Sequence, residues 1–335
     1  MINNDKIKYR YILLWITSGL FCFSFAALFI GRYSVSIEEF ACVITSSLPT
    51  DDYIAEVIYY VRLPRIILSV IVGASLASSG TTLQGVLQNP LAGPEVLGSS
   101  SGAGFGAAMG LLLFPDNLLL TSLTAFVSGI VSMLFVLLLA GRKTSSIMSI
   151  ILSGIIVSSI FMALISLVKY VADTDNTLPA ITFWLMGSFA QADFLQVETV
   201  ILPTLSCIGV LLLFRWKLNI LSLGDEDAAM MGVNPRRLRI LLIVISTLLI
   251  SVSVTVAGVI GWVGLVIPHI CRRLVGANHG YVMPLSIVAG AFFMLLIDTI
   301  ARSISSAEIP IGILTALIGA PIFTAIFIMK RKRQR

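Results

Sequence analysis

The sequence predicts an all-α integral membrane protein with about ten transmembrane helices, organised as one domain over residues 1–335. Hydrophobic residues make up 57% of the chain and charged residues only 12%, and the mean hydropathy is +1.00. Soluble proteins carry about 25% charged residues. The apolar runs approach or exceed the roughly 20 residues that a helix needs to cross about 30 Å of hydrocarbon. One long polar insertion, Ser222 to Arg239, interrupts this apolar series.

The distribution of charge predicts an orientation. The first apolar run, residues 11–30, is too long for a signal peptide and lacks a clear cleavage site, so we expect a retained first span. If the spans alternate from a cytoplasmic N-terminus, the inner side collects Lys6, Lys8, Arg10, Arg142, Lys143, Arg215, Lys217, Arg236, Arg237, Arg239, Arg272, Arg273 and the basic tail 330–335. The outer side receives only Arg32, Arg62, Arg65, Lys169 and Arg302. This positive-inside asymmetry predicts that both termini are cytoplasmic, and it explains the net charge of +5 without nucleic acid.

The spans follow in order from the apolar runs and the residues that break them. We expect them at about 11–30, 64–88, 95–114, 118–140, 145–168, 196–214, 240–257, 260–273, 281–301 and 310–329. Ser36 and Glu39 have capping-box spacing and predict a short surface helix, and residues 184–188 predict a short interfacial one. Residues 89–94 break the second span, because two prolines and a glycine cannot continue a helix. The eighth span is short for a crossing, which predicts that its glycine-rich start is buried against protein.

Small residues at four-residue spacing predict close helix packing. They recur in the second span at Gly73, Ala77, Thr81 and Gly85, and in the third at Gly98, Gly102, Gly106 and Gly110. Such faces let backbones approach where no hydrophobic effect drives helices together in lipid. Ordinary packing is the favoured interpretation. The alternative is that the neighbouring serines 99–101 line a polar path.

The polar insertion predicts two helices joined by a glycine corner. Three acids at positions 225–227 suit the first turn of a helix that begins near Gly224, because they complement its positive end. Gly232 is a natural stop. Asn234 and Pro235 are typical of the N-cap and first position of a second helix that continues into the seventh span. Arg236, Arg237 and Arg239 follow, either as a positive-inside anchor or as contacts for an acidic partner.

The sequence gives no support for catalysis or for a metal site. It contains no G-x-x-x-x-G-K-[ST] and no H-E-x-x-H, and its G-x-S-x-G match at residues 98–102 falls on the small-residue face of the third span. The four cysteines are scattered, and His269 and His279 have no acid or cysteine at ligand spacing, so a structural role is favoured for both. Only Glu95 and Asp298 are clear charges within spans, and both lie near predicted helix ends. If ATP drives this protein, another chain must bind it.

An ordered set of motifs resembles the permease subunits of the iron-chelate and cobalamin ABC importers, the FecCD-type family. The set covers nearly the whole chain after the first span, in the family's order and spacing. It comprises Arg62-Leu-Pro-Arg65, Asn89-Pro-Leu-Ala92, Leu97-Gly98, Trp184-Leu-Met-Gly187, Leu223-Gly-Asp-Glu-Asp-Ala-Ala-Met-Met-Gly-Val233, Gly264-Leu-Val-Ile-Pro-His269, Glu308-Ile-Pro-Ile-Gly312 and Gly319-Ala-Pro321. One departure is Gly93, where many relatives carry an acid.

The resemblance implies a type II ABC importer permease in the bacterial inner membrane. It would form a homodimer around a translocation path, with two ATP-binding subunits below and a periplasmic or surface-anchored substrate-binding protein above. ATP and Mg would bind the partner subunits, and no cofactor is expected on this chain. We call residues 222–239 the coupling segment, because the resemblance implies that it receives the ATPase stroke.

The resemblance also implies residue roles. Coupling to the ATPase would fall to Leu223, Gly224, Asp225, Glu226, Asp227, Ala228, Met231, Gly232, Asn234 and Arg236. The cytoplasmic gate would include Asn89, Leu91, Thr144 and Ser145. The binding protein would dock on Arg62, Arg65 and Arg302, which are three of only five outer cations. The path would be lined from the fifth span by Ser153, Ser158, Ser159 and Met162, although helix–helix hydrogen bonding explains the serines equally well.

Three functions remain distinguishable from the sequence. The first is an importer permease for a bulky metal chelate. The second is an ion-coupled secondary transporter, which predicts an essential mid-membrane acid. The third is a channel or scaffold, which predicts that the coupling segment is dispensable. Ferric siderophore is the most frequent cargo in the family, and the residues do not choose between it and haem, cobalamin or an oxyanion such as molybdate.

Overall fold

The computed structural model describes residues 2–31, 33, 35–45, 52–141, 147–305 and 307–333. Within these ranges the chain is helical and contains no β-strand. Fourteen α-helices form the described chain: α1 Ile2–Ala26, α2 Ile37–Thr45, α3 Asp52–Glu56, α4 Leu63–Val86, α5 Ser99–Leu113, α6 Leu118–Ala140, α7 Ile147–Val171, α8 Thr177–Met186, α9 Phe194–Leu221, α10 Asp225–Met230, α11 Pro235–Ala257, α12 Val263–Val275, α13 His279–Ile304 and α14 Ile311–Arg333. A π-helix, Val57–Arg62, joins α3 to α4, and a 3-10 turn, Pro94–Leu97, precedes α5.

Ten of these helices coincide with the ten predicted spans, which confirms the predicted fold class. Among the described residues, seven helical stretches are long and apolar enough to cross a membrane: 6–26, 53–86, 118–140, 147–171, 194–221, 235–257 and 279–304. α5 and α12 are shorter, at 15 and 13 residues. α12 would extend only about 20 Å at 1.5 Å per residue. The short eighth span predicted from the sequence is therefore confirmed.

Glycines in the left-handed region explain two boundaries that the sequence prediction misplaced. α5 begins at Ser99 rather than at residue 95, because Gly98, at a φ of +70°, separates it from the 3-10 turn. The predicted interfacial helix at 184–188 is wrong in register. The helix is α8, which ends at Met186, and Gly187 follows it at a φ of +75°. A glycine adopts this conformation without the clash that a Cβ would cause.

The capping box before α2 is confirmed. The backbone N–H of Ser36 donates to Glu39 Oε2 at 2.6 Å, and the N–H of Glu39 donates back to Ser36 Oγ at 3.1 Å. Each side chain thus satisfies a donor that the first helical turn leaves without a partner.

α4 forms the centre of the bundle and packs against α9, α11, α12 and α13. Its small residues allow this close packing, as predicted. A Cβ on Gly73 would overlap the carbonyl oxygen of Gly290 in α13, and one on Gly80 would overlap that of Gly264 in α12. The glycines at four-residue spacing in α5 likewise allow close packing against α6, because a Cβ on Gly106 would overlap the Thr124 carbonyl oxygen. Backbone contact, rather than large side chains, therefore sets these helix distances.

The start of α12 is buried against protein, as its glycines predicted. Gly258 is buried at a φ of +68°, and a Cβ there would overlap the carbonyl oxygen of Trp184. The preceding helix, α11, ends at Ala257, so residues 258–262 form a non-helical connection between the two helices. Non-helical backbone at this depth is tolerated where it is covered by protein.

Candidate functional site

The coupling segment has the predicted helix–glycine–helix form. α10 spans Asp225–Met230, the corner is Gly232 at a φ of +77°, and α11 begins at Pro235. Asn234 caps α11, because its Oδ1 accepts a hydrogen bond from the N–H of Arg237 at 3.0 Å. Gly232 has open space around it, with no atom within 4 Å of the position that a Cβ would occupy. The corner therefore protrudes from the bundle.

The exposed surface of the coupling segment combines apolar and acidic side chains. Met230 is 80% exposed and Met231 60%, and Leu223 is also exposed. Glu226 and Asp227 point to solvent beside them, whereas Ala228 is buried. Large exposed apolar side chains beside charges are typical of a surface that another protein covers. Met230 lies within the predicted coupling segment, and its flexible thioether suits such a contact.

The three arginines of the segment do not act as one group. Arg236 and Arg237 are exposed, but Arg239 is fully buried at 0% exposure. Its guanidinium forms a fork with the Asp225 carboxylate, with Nη2 2.7 Å from Oδ1 and Nη1 3.2 Å from Oδ2. The Asp225 side chain is 35% exposed. The contact with an acidic partner that was considered for Arg239 is therefore wrong, because its carboxylate partner lies in its own chain.

Two residues predicted for the gate lie in the described chain, next to the coupling segment. Asn89 Oδ1 accepts a hydrogen bond from the N–H of Leu91 at 2.9 Å, which shapes the loop, and Leu91 is 50% exposed. Gln88, just before them, has a φ of +46°, and its Nε2 donates to the carbonyl oxygen of Leu221 at 2.6 Å. The loop thus touches the end of α9. Thr144 and Ser145 lie outside the described residues.

The residues predicted to line a path lie on different faces of α7. Ser153 is buried, and Ser158 Oγ donates to the carbonyl oxygen of Glu95 at 3.3 Å. Ser159 is exposed, with its Oγ donating back to Ile155 at 2.9 Å, and Met162 is 62% exposed. Ser158 therefore contacts the neighbouring 3-10 turn, Ser153 is enclosed by the protein, and Ser159 and Met162 face away from the chain. A lining role stays a prediction for all four.

The three cations predicted to dock a binding protein are buried at the end of the bundle opposite the coupling segment. Arg62 donates to the carbonyl oxygens of Leu28 and Tyr33, which follow α1. Arg302 Nη2 donates to the Ala27 carbonyl at 2.6 Å. The guanidinium groups of Arg62 and Arg302 thus hold the segment that follows α1 in place. None of the three is exposed for direct contact, and docking of a binding protein on them stays a prediction.

Asp298 completes this group and is itself fully buried. Arg65 Nε lies 2.8 Å from its Oδ1, and Arg302 Nε lies 3.9 Å from its Oδ2. Arg65 Nη1 also binds Glu308 Oε1 at 3.0 Å, in the segment before α14. We call Arg62, Arg65, Asp298, Arg302 and Glu308 the arginine cluster. It joins α1, α4, α13 and the start of α14.

The sequence identified four members of the arginine cluster, all but Glu308, but not their pairing. Asp298 was noted as a charge within a span, and the three arginines as unexpected outer cations. A buried charge needs a partner of opposite sign, so a lone acid in one span and excess arginines in others were the available signal. His279 proved structural, as favoured, because its Nδ1 lies 3.0 Å from Asn219 Oδ1 across the α9–α13 contact.

Comparison with known proteins places this geometry in context. The model of the FecCD transport family matches residues 18–330. The chain is 43% identical over 330 residues to the molybdate import system permease protein MolB of Haemophilus influenzae, with 97% of each chain covered. It is 35% identical over 340 residues to the hemin transport system permease protein HmuU of Yersinia pestis, with 99% of each covered. A solved structure presented as an inward-facing conformation of an ABC transporter, assigned to the metal-chelate type, matches with a TM-score of 0.87 and 42% identity over 96% of this chain and 99% of that chain.

Proposed function

The chain belongs to the FecCD transport family as a permease subunit of an ABC importer, and from this premise we propose its cargo, partners and moving parts. Two copies form a homodimer around the translocation path. Two ATP-binding subunits dock on the coupling segment, and a substrate-binding protein delivers cargo at the opposite end. Both termini lie in the cytoplasm, on the side of the coupling segment.

The protruding surface of the coupling segment is the observation that carries this proposal. A helical bundle needs no such element to cross a bilayer, and here two exposed methionines and two exposed acids stand beside an open glycine corner. The sequence has no P-loop of its own. A separate ATP-binding subunit therefore has both a reason to dock and a surface that suits docking.

The contacts of Asp298 argue against an ion-coupled transporter that works alone. Such a carrier needs an acid that can take up and release its coupling ion. Asp298 is fully buried, but Arg65 holds it at 2.8 Å and Arg302 lies 3.9 Å away, so its charge is already compensated. This arrangement supports a structural role for Asp298 rather than a role in binding a coupling ion.

The names of the relatives support a metal-containing cargo, and experiments should distinguish two candidates, molybdate and a ferric chelate. The relative with 43% identity is named as a molybdate permease, which makes the molybdate oxyanion the first cargo to test. A ferric chelate such as a siderophore is the second, since relatives at 36–38% identity are named for iron chelatin or ferric citrate. The neutral side chains of α7 suit a low-affinity path, with selection left to the binding protein.

Uptake by reconstituted vesicles tests the proposal. The permease is purified with its ATP-binding and substrate-binding subunits, and accumulation of radiolabelled molybdate or of a labelled ferric siderophore is followed with and without ATP. We expect ATP-dependent accumulation of one of the two and none without the ATP-binding subunit. Accumulation driven by an ion gradient in the absence of ATP would contradict the importer assignment.

A further inference from the structure

We propose that the Arg239–Asp225 ion pair is the mechanical link that passes movement of α10 to the end of α4 and the loop that follows it. Arg239 and Asp225 act as positioning residues, since they transmit displacement and do not touch cargo. The inference rests on the proposed function, because it takes α10 as the surface that the ATP-binding subunit moves.

α10 has little else that attaches it firmly to the bundle. Among its six residues, all of them described, Ala228 alone has a buried side chain. Gly224 and Gly232 flank it at φ values of +122° and +77°, and both have open space around them. A short helix between two such glycines can change its angle at low cost, so a strong side-chain contact decides whether the bundle follows it.

The geometry of the pair suits the transmission of force. The two guanidinium nitrogens of Arg239 donate separate hydrogen bonds, of 2.7 and 3.2 Å, to the two carboxylate oxygens of Asp225. The two groups are therefore fixed in orientation as well as in separation. The same guanidinium reaches α4, because Nε of Arg239 makes a long hydrogen bond of 3.4 Å to the carbonyl oxygen of Val86, the last residue of that helix. One rigid planar group therefore connects α10 with the end of α4.

A second contact holds the same turn from the other side. Gln88 lies two residues after Val86, and its side chain binds the Leu221 carbonyl at the end of α9. Leu221 directly precedes the coupling segment, and Arg239 ends it. The end of α4 is thus held by Leu221, just before the coupling segment, and by Arg239, its last residue. Asn89 and Leu91 follow at once, so displacement of the segment displaces the predicted gate loop.

Conservative substitutions in the reconstituted importer test the link. Asp225→Asn keeps the shape of the side chain but removes its charge, and Arg239→Lys keeps the charge but removes the fork. Co-purification of the ATP-binding subunit and ATP hydrolysis are measured for both variants beside transport. The cargo transported per ATP should fall about three- to tenfold, within the range of measured coupling effects. Asp116→Asn and Arg10→Lys are the matched controls at exposed positions, and neither should change this ratio.

Labelling of the loop gives an independent readout. Leu91→Cys, in a chain whose four native cysteines are replaced, reports the accessibility of the loop to a maleimide. Without the Asp225 change, the labelling rate should differ between the ATP-bound and nucleotide-free states of the importer. With Asp225→Asn, this difference should largely disappear. If Arg239→Lys fails to fold, the partly exposed Asp225 still permits the measurement.

The outcomes separate the inference from the proposed function. Unchanged transport per ATP, or labelling that still follows the nucleotide in Asp225→Asn, overturns the link and leaves the importer assignment standing. Loss of the ATP-binding subunit from both variants also overturns it, because the pair would then build the docking surface itself. Failure of the unmodified chain to bind an ATP-binding subunit refutes the proposed function and the link together.

Discussion

The two ends of the bundle use arginine in opposite ways. At one end, the arginine cluster buries three guanidinium groups among carbonyl oxygens and two carboxylates, and it joins four segments that are distant in sequence. At the other end, Arg239 is equally buried, but its carboxylate partner belongs to a short helix between two open glycines. The arginine cluster holds helices of the bundle together, whereas the Arg239–Asp225 pair attaches the short helix α10 to the bundle.

The difference lies in what surrounds the carboxylates. Asp298 is 0% exposed and lies between two arginines, whereas Asp225 is 35% exposed and has solvent on one side. A buried charge that loses its partner remains in a medium of low dielectric constant, but a half-exposed charge is partly compensated by water. Damage at the arginine cluster should therefore appear as lost stability, and damage at the coupling segment as lost transport.

Asp298→Ala should have the largest effect on stability. It leaves Arg65 and Arg302 buried without their shared carboxylate, and removal of one partner from a buried ion pair costs about 3–5 kcal/mol. We expect a large fall in the midpoint of thermal unfolding in detergent, with reduced accumulation in the membrane. Glu198→Gln, at an exposed site, is the control and should behave as the parent chain. An unfolding midpoint equal to that of the parent would show that the cluster does not lock the helices.

Gly232→Arg should have a smaller effect on stability but abolish ATP-driven uptake. A side chain at a φ of +77° costs about 1–2 kcal/mol, and the open space around the corner accepts its bulk. The new cation would stand in the surface on which the ATP-binding subunit is proposed to dock. Co-purification and vesicle uptake measure this effect beside the thermal midpoint. A variant that still assembles and transports normally would refute the coupling assignment.

Glu308→Gln should have the smallest effect, although its carboxylate belongs to the arginine cluster. The Glu308 side chain is 36% exposed, and Arg65 keeps its contact with Asp298 when the charge is removed. Exposed ion pairs contribute about 0–1 kcal/mol. We expect the thermal midpoint to stay close to that of the parent chain. A loss comparable to that of Asp298→Ala would mean that the cluster depends on every member equally, and the contrast between buried and exposed carboxylates would fail.

The coupling segment could be predicted from the sequence because its determinants are local. Asn234 and Pro235 start α11 and Gly232 ends the preceding helix whatever the rest of the chain does. The burial of Arg239 was also indicated locally, but less clearly, by the apolar periodicity of α11. Leu242, Ile243 and Ser246 lie three, four and seven positions further along, share its face of α11 and are all buried. Because Arg236, Arg237 and Arg239 were interpreted as one basic group, the position of Arg239 on the buried face of α11 was not predicted.

The arginine cluster could not be predicted as a cluster, because its contacts are not local. Arg65 and Asp298 are 233 positions apart, and periodicity within either helix does not say which spans are neighbours. The resemblance to known permeases implied a surface role for the three arginines, and only the packing of α13 against α4 shows that they face inward. The end of α8 also depends on distant contacts, because the N–H of Ser188 donates to the carbonyl oxygen of Ala257 and the Gly187 carbonyl accepts from the N–H of Ile311.

The separation of Arg65 from Asp298 has a consequence for how the protein is made. At about 5–20 residues per second of translation, the 233 intervening residues take about 10–50 s to synthesise. During that interval α4 is already available for insertion, and Arg65 has no carboxylate from α13 to neutralise it. The nascent chain must keep this guanidinium in the hydrated interface until the ninth span arrives. The ion pair between Arg65 and Asp298 can therefore form only late in synthesis, and chains truncated before α13 would leave Arg65 without this carboxylate.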